Sequence, residues 1–338
     1  MTTRRTFIAA AVAAAFALTT GAAHAQTKWD MPTPYPEGEF HTVNIKQFIE
    51  DVKKASGGQL ELNLHSNGSL IKHPDMMRAV STGQVNIAEF LLGQFGNEEP
   101  VFNADNVPFL AAGYDSAWKL YQAQKPVLEK KLQGRGMRLL YSVAWPGQGL
   151  YTKNPLKSVD DFKGTKFRTY SAYTARLAEL LGASPTVIQV PEIPQAFATG
   201  TVHAMITSSA TGSGSKAWEF VKNYYLTNAM HPKNVVVVNA RAFERLPEAQ
   251  KKALTNAAAT AEKRGWDLSR QREASANKLL ADNGMTVHTP DAAMMSALGK
   301  VGDTIASEWL KASGADGEAI VKAYRGGGTP APGRGAAY

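Results

Sequence analysis

The chain has 338 residues, no cysteine and a formal net charge of +8, from 37 lysines and arginines against 29 aspartates and glutamates. The lack of cysteine excludes disulfides, thiolate catalysis and cysteine-ligated metals. Nucleic-acid binding would need basic residues clustered with aromatic ones, whereas the densest basic run, residues 125–138, is spaced like a solvated helix face.

The N-terminal segment has the pattern of an export signal. Arg4 and Arg5 precede an apolar run over residues 7–18, and Ala23-His24-Ala25 is a small-residue cleavage site. We predict a signal peptide over residues 1–25. The arginine pair also fits a twin-arginine signal, and an ordinary secretory signal stays open. The apolar run is too short to span a bilayer, which needs about 20 residues.

An internal repeat predicts two similar α/β units. Residues 79–85 (AVSTGQV) align with residues 196–202 (AFATGTV), and each copy lies between apolar segments. Gly83 and Gly200 fall where a helix ends and the chain turns with positive φ, which glycine adopts without steric cost.

The segments before each copy are predicted strands. Leucines alternate with polar residues over residues 60–64, and residues 187–190 include a β-branched run. Two α/β units of this kind bind ligands at the carboxyl ends of their strands. Facing each other, they would form a clamp.

The C-terminal part contains one long predicted helix. Proline is absent between Pro247 and Pro290, so residues 248–283 can run as a helix of about 54 Å with a narrow face of small residues. A break at Gly265 into two helices is the alternative. The Gly/Pro-rich end, residues 326–338, is a predicted flexible tail.

Residues 158–207 contain three motifs in a fixed order. They are D-x-K-G-x-K-x-R ending at Arg168, L-G-A-S-P over residues 181–185, and E-x-x-x-A-x-x-T-G-x-V over residues 192–202. This order resembles the DctP family, the periplasmic solute receptors of tripartite ATP-independent periplasmic (TRAP) transporters. The similarity extends over residues 40–110 and 234–247.

The resemblance implies an α/β fold, a two-lobed periplasmic-binding-protein clamp of type II-like form with a long helix along both lobes. We expect lobe I to comprise residues 26–144 and about 232–273, and lobe II to comprise residues 145–231 and about 274–325. The chain would cross between the lobes near Ala144-Trp145, near His231–Asn234 and along the long helix.

The resemblance also assigns the ligand site. The arginine at this motif position pairs with the ligand carboxylate, and that residue is Arg168, whose planar fork donates two parallel hydrogen bonds. Gln148 stands near the position where sialic-acid receptors have a second arginine and oxo-acid receptors have a glutamine. A single arginine favours a monocarboxylate.

Further candidates surround these two residues. The ten candidate site residues are Tyr35, His41, Glu89, Trp145, Gln148, Arg168, Tyr170, Thr207, Ser208 and Ser209. Trp145 and Tyr170 are either pocket walls or core aromatics. Glu89 is at the expected end of a strand and binds ligand hydroxyls, or is a rim carboxylate or a partner of Arg168. His41 is a ligand contact, a helix cap or a surface residue.

Departures from the family pattern affect the other predicted features of the site. Residues 203–209 lack the usual acidic or amide residues, so no metal is predicted, and Thr207, Ser208 and Ser209 offer hydroxyls instead. Val190 and Pro194 replace the expected aromatic residues.

The predicted function is that of a periplasmic receptor, not an enzyme, without a cofactor. Its predicted partners are a small organic carboxylate, which is an aromatic, oxo or hydroxy acid, and the small and large TRAP membrane subunits. Nucleic acid is not a predicted partner, and the protein is expected to be a monomer. An exported hydrolase or lyase is an alternative if Glu89 and a histidine meet, although the common catalytic motifs are absent. A sensor-type binding protein without a transport role is the third possible function.

Overall fold

The structure is a computed structural model that describes residues 26–326. The predicted signal peptide and all but the first residue of the predicted tail lie outside the described residues. Within residues 26–326, no helix combines the length and the apolar character needed to cross a lipid bilayer.

The described chain alternates strands and helices. The strands are β1 Thr27–Pro32, β2 Leu60–His65, β3 Ile87–Leu91, β4 Met137–Ala144, β5 Gln148–Thr152, β6 Lys166–Thr169, β7 Ser184–Val187, β8 Ala204–Ser208, β9 Asn223–Tyr225, β10 Lys233–Asn239 and β11 Thr286–His288. The α-helices are α1 Phe40–Ala55, α2 Met76–Thr82, α3 Tyr114–Gly134, α4 Ala172–Leu180, α5 Ile193–Ala198, α6 Ser209–Gly214, α7 Ala240–Glu244, α8 Glu248–Asp282 and α9 Ala292–Gly326. The last of these is interrupted by a kink at Gly314, whose φ of 52° and ψ of −137° are not helical. Short 3₁₀ helices are His73–Asp75, Leu92–Phe95, Pro100–Asn106, Val159–Phe162, Val190–Glu192 and Ala217–Glu219.

Two groups of strands define two lobes. The first lobe contains β1 to β4 and β10: β10 pairs antiparallel with both β3 and β4, while β1 pairs parallel with β2 and lies beside β3. The second lobe has a six-stranded sheet in the order β11-β9-β5-β8-β6-β7. The predicted two-lobed α/β fold is confirmed.

The apolar sequence runs form the centres of these sheets. All seven residues of β10 are buried, as expected for a central strand covered on both faces. In β2, Leu60 and Leu62 are buried while Glu61 and Asn63 are not, so the predicted alternation is confirmed for the first two leucines; Leu64 is only half-buried.

The repeated motif ends a helix in each lobe. Gly83 has φ 79° after α2 and precedes β3, and Gly200 has φ 68° after α5 and precedes β8. The two glycines therefore make the same left-handed turn in separate sheets, as predicted.

The second predicted strand differs from the sequence expectation. The structure ends β7 at Val187, and Val190 belongs to a 3₁₀ helix. Pro191 favours this 3₁₀ helix because it lies in the first turn, where the fixed φ and the missing N–H of proline are tolerated. The β-branched run was therefore a misleading signal beyond Val187.

The chain crosses between the lobes at the three predicted places. It passes from β4 to β5 beside Trp145, whose backbone N–H donates to the Pro232 carbonyl at 2.8 Å on the return path from β9 to β10. The third connection is α8, which packs on α1 and β4 in the first lobe and on α6 and β11 in the second. The single long helix is confirmed, without a break at Gly265. In addition, α9 packs on α3 and Pro100–Asn106 of the first lobe as well as on α4 of the second, so the prediction that residues 274–325 belong to lobe II alone is wrong for α9.

Candidate functional site

A cavity lies between the lobes, and its empty space, counted together with the solvent at its mouth, is about 370 Å³. Its lining comes from both lobes and from the crossing segments: Tyr35, His73, Leu91, Trp145, Gln148, Arg168, Tyr170, Gln189, Val190, Thr207, Ser208, Thr211 and Pro232. Seven of the ten candidate site residues are in this lining. Glu89, His41 and Ser209 are not.

Arg168 reaches the cavity from β6, which lies between β8 and the edge strand β7 in the second sheet. Only 1% of the residue is exposed. Its Nε donates to the Ile188 carbonyl at 3.0 Å, and its Nη1 donates to the Ile206 carbonyl at 3.3 Å. These two bonds fix the plane of the guanidinium and leave further N–H donors for a ligand.

The charge of Arg168 has no counter-ion among the residues that the structure describes. Among residues 26–326, no carboxylate lies within ion-pair distance of its guanidinium. Burial lowers the pKa of Arg168 to about 10, so the side chain is still cationic at neutral pH. A buried cation without an anionic partner is costly, and a bound anion would offset that cost.

Tyr170 lies beside the Arg168 guanidinium and is hydrogen-bonded to Gln148. The guanidinium carbon lies 5.3 Å from the centre of the Tyr170 ring. Tyr170 Oη donates to Gln148 Oε1 at 3.1 Å, and Gln148 Nε2 donates to the Pro146 carbonyl at 2.8 Å. Gln148 therefore has one amide hydrogen left to donate, and its oxygen already accepts.

The hydroxyl cluster after β8 has more than one role. Thr207 and Ser208 line the cavity. Ser208 Oγ accepts from the Thr211 N–H at 3.1 Å and so caps α6, and it donates its hydrogen to Thr211 Oγ1 at 3.2 Å, which leaves no hydrogen for a solute. Ser209 is buried one residue into this helix, outside the lining. Of the three predicted hydroxyls, Thr207 is thus best placed to contact a solute.

Glu89 occupies the middle of β3, not its end, and only 2% of it is exposed. The rim position expected as one alternative is therefore wrong. Glu89 Oε2 accepts from Thr33 Oγ1 at 2.6 Å, and Oε1 accepts from Asn234 Nδ2 at 3.1 Å. These buried donors stabilise the carboxylate away from the cavity.

His41 is the second residue of α1 and is fully enclosed. Its Nδ1 lies 3.3 Å from Glu89 Oε1, and burial lowers its pKa. The surface alternative for His41 is thus wrong, and its side chain supports Glu89 instead of lining the cavity.

Asn234 links this buried group to the aromatic wall. Its Oδ1 accepts from Trp145 Nε1 at 2.8 Å and from Tyr35 Oη at 3.2 Å. The Tyr35 and Trp145 rings meet edge to face with their centres 5.0 Å apart. Glu89 therefore helps to orient the Tyr35 and Trp145 rings through Asn234, from the side of the rings that faces away from the cavity.

Sequence reasoning missed several lining residues. They are His73, Leu91, Gln189, Thr211 and Pro232. Val190 was noted only as a departure from the family pattern. Its position in the lining agrees with a rebuilt pocket wall, but nothing in the sequence around His73 or Gln189 pointed to a cavity.

No metal centre is evident in the described part of the chain. Residues 26–326 contain no group of three histidine, aspartate or glutamate side chains that could hold an ion.

Comparison with known proteins gives a family match over most of the chain. Residues 34–311 match the family model for DctP, bacterial extracellular solute-binding protein, family 7. The match includes every lining residue of the cavity.

Three solved structures are similar over nearly the whole described chain. DctP6 from Bordetella pertussis, an extracytoplasmic solute receptor binding pyroglutamic acid, is 49% identical with a TM-score of 0.88, covering 89% of this chain and 100% of that chain. DctP7 from the same organism, also binding pyroglutamic acid, is 44% identical with a TM-score of 0.87, covering 88% and 99%. A marine metagenome TRAP solute-binding protein specific for pyroglutamate is 37% identical with a TM-score of 0.88, covering 89% and 99%.

Proposed function

The chain belongs to family 7 of the bacterial extracellular solute-binding proteins, the DctP family, and from this premise we propose that it is a TRAP receptor whose solute is pyroglutamate. The solute would be enclosed between the lobes with its carboxylate on Arg168. This proposal is carried by the buried guanidinium, which has no counter-ion within residues 26–326. Such a group favours an anion of a single negative charge.

The rest of the cavity suits the lactam of pyroglutamate. The free amide hydrogen of Gln148 and the Thr207 hydroxyl can donate to oxygen, and the Tyr35 and Trp145 rings offer an apolar face. The three similar structures with pyroglutamate support the same solute class.

Calorimetry with four related solutes tests this proposal. We expect L-pyroglutamate to bind tightly and 2-pyrrolidinone, which lacks the carboxylate, to bind weakly. L-proline should bind weakly because its ammonium has no carboxylate in the cavity lining to pair with. A dicarboxylate such as succinate should also bind weakly, since Arg168 is the one arginine in the lining formed by the described residues. Equal affinity for 2-pyrrolidinone and pyroglutamate would contradict the carboxylate assignment.

The same geometry supports a receptor over a hydrolase or lyase. Glu89 and His41 do meet, as an acid–base pair would require. Both lie outside the cavity lining and are almost fully buried, so a bound solute would not reach them. We therefore propose a binding role without catalysis, and no activity on pyroglutamate should be detected during prolonged incubation.

Delivery to a permease completes the proposed role. Proteins of this family are extracytoplasmic solute receptors, and we propose that this chain acts in the periplasm as a monomer with the small and large TRAP membrane subunits. Reconstituted membrane subunits should take up pyroglutamate only when the receptor is added. Uptake that does not depend on the receptor would contradict the transport role and favour a sensor-type binding protein.

A further inference from the structure

A hydrogen bond crosses the cleft next to the arginine site. His73 Nδ1 lies 2.8 Å from Gln189 Oε1. His73 begins the 3₁₀ helix that leads into α2 of the first lobe, and Gln189 follows β7 of the second lobe. Both side chains line the cavity, and only 6% of His73 is exposed.

The first lobe fixes the imidazole in one protonation state. The backbone N–H of Leu91, at the end of β3, donates to His73 Nε2 at 3.2 Å. Because Nε2 accepts, the ring proton is on Nδ1, where it can be donated to Gln189. Burial lowers the pKa of His73 to about 4, which keeps the ring neutral at neutral pH.

The second lobe connects Gln189 to the arginine. The carbonyl of the preceding residue, Ile188, accepts from Arg168 Nε at 3.0 Å. The backbone N–H of Gln189 donates to the Glu192 carboxylate at 3.2 Å. The segment that orients the arginine therefore also presents the Gln189 amide to the first lobe.

We propose that His73 and Gln189 form a latch between the lobes, which stabilises the closed form and thereby sets solute affinity. The proposal rests on the receptor function proposed above. If the lobes separate, this bond breaks, whereas the bonds that orient His73 and Arg168 each lie within one lobe. A receptor that closes less readily has a smaller fraction of closed molecules. Its apparent affinity for the solute falls in proportion to that fraction.

A double-mutant cycle tests the coupling between the two side chains. His73→Phe and Gln189→Leu each remove one partner and should weaken pyroglutamate binding roughly five- to fiftyfold. The double variant should be weaker by much less than the product of the single effects, since each single change already breaks the bond. Multiplicative effects would overturn the latch.

Two exposed residues of the second lobe provide matched controls. His203→Phe and Gln195→Leu make the same chemical changes outside the cavity lining. Both should leave the dissociation constant within about twofold of that of the unmodified protein.

A direct measurement of the fraction of closed molecules tests the latch independently of which solute the protein binds. The chain has no cysteine, so dyes can be attached at Ala55→Cys and Ala198→Cys, exposed positions in the first and second lobes. Single-molecule energy transfer should show a smaller closed fraction in both latch variants than in the controls, with and without pyroglutamate.

The outcomes distinguish the two proposals. If the unmodified protein fails to bind pyroglutamate, the proposed solute is wrong, and the closed fraction without solute still tests the latch. Weaker binding with an unchanged closed fraction would make His73 a direct solute contact and overturn the latch.

Discussion

Arg168 combines near-complete burial with a charge that no described acidic side chain neutralises. Its remaining polar contacts are backbone carbonyls, which orient the fork without cancelling its charge. The residue is thus held ready for an anion, at a cost that the folded protein carries until one binds.

Arg168→Ala should lower pyroglutamate affinity roughly thirtyfold to several thousandfold. The reason is that truncation of one partner of a buried charge pair typically costs about 2–5 kcal/mol. Arg168→Lys should recover only part of the loss, because an ammonium cannot form the two-pronged pair. Calorimetry on the purified variants measures both effects, and unchanged affinity in the alanine variant would remove Arg168 from the site.

Glu89→Gln distinguishes support of the wall from direct solute binding. The new amide nitrogen would face a donor from Thr33, Asn234 or His41, so the free energy of unfolding should fall by about 1–3 kcal/mol. Solute affinity should change less than in Arg168→Ala. Glu50→Gln, on an exposed position of α1, is the control. Denaturant unfolding and calorimetry together decide, and a loss of affinity with normal stability would make Glu89 a ligand contact.

At the scale of secondary-structure elements, α1 begins with an unusual cap. Glu39 accepts from the Phe40 N–H at 3.0 Å, and burial raises its pKa to about 7. The folded protein therefore binds this proton more tightly than the unfolded chain does. The stabilisation is present below the ordinary carboxyl pKa and is lost as the pH rises through about 7.

Glu39→Gln should remove this pH dependence. The variant should gain stability over the unmodified protein as the pH rises, by up to about 3 kcal/mol at pH 8, with little difference near pH 4. Contributions from the buried histidines His73 and His231 occur in both proteins and cancel in the difference. Unfolding in denaturant across this pH range measures the effect, and a constant difference would contradict it.

Gly265 shows why α8 can pass so close to the first lobe. A Cβ built at this glycine would clash with Val143 and lie 2.8 Å from Asn44 Nδ2. Gly265→Ala should therefore destabilise the protein by about 1–3 kcal/mol, although alanine favours a helix. Gly299→Ala in α9 has open space and should stabilise by up to about 1 kcal/mol. Thermal unfolding of the two variants gives the comparison, and equal shifts would rule out the close packing.

At the scale of the whole molecule, the predicted mature protein begins at Gln26. N-terminal sequencing of periplasmic material should find this residue first, because the small-residue pattern ends at Ala25. Replacing Arg4 and Arg5 together with lysine should block export only if the twin-arginine route is used. A periplasmic protein that begins at Met1 would contradict cleavage, and continued export would indicate the ordinary secretory route.

Local patterns were sufficient for much of the architecture. The repeat predicted Gly83 and Gly200 as matching turns in separate lobes, and proline spacing predicted the helix α8 almost to its end. Such features depend on backbone conformation and on residues a few positions apart, which a single sequence displays directly. The ordered motif around Arg168 likewise predicted the family, and with it the position of the cavity.

Contacts between distant segments needed the folded chain. His73 and Gln189 are 116 positions apart, and Glu89 and Asn234 are 145 apart. Neither pair has a sequence spacing or a local composition that would indicate a contact. The contacts form only when the two lobes and the strand β10 come together in the folded chain. Burial separates the positions of the two charged groups: Glu89, predicted as a ligand contact, a rim carboxylate or a partner of Arg168, lies buried outside the cavity lining, whereas Arg168 is a buried cation within that lining.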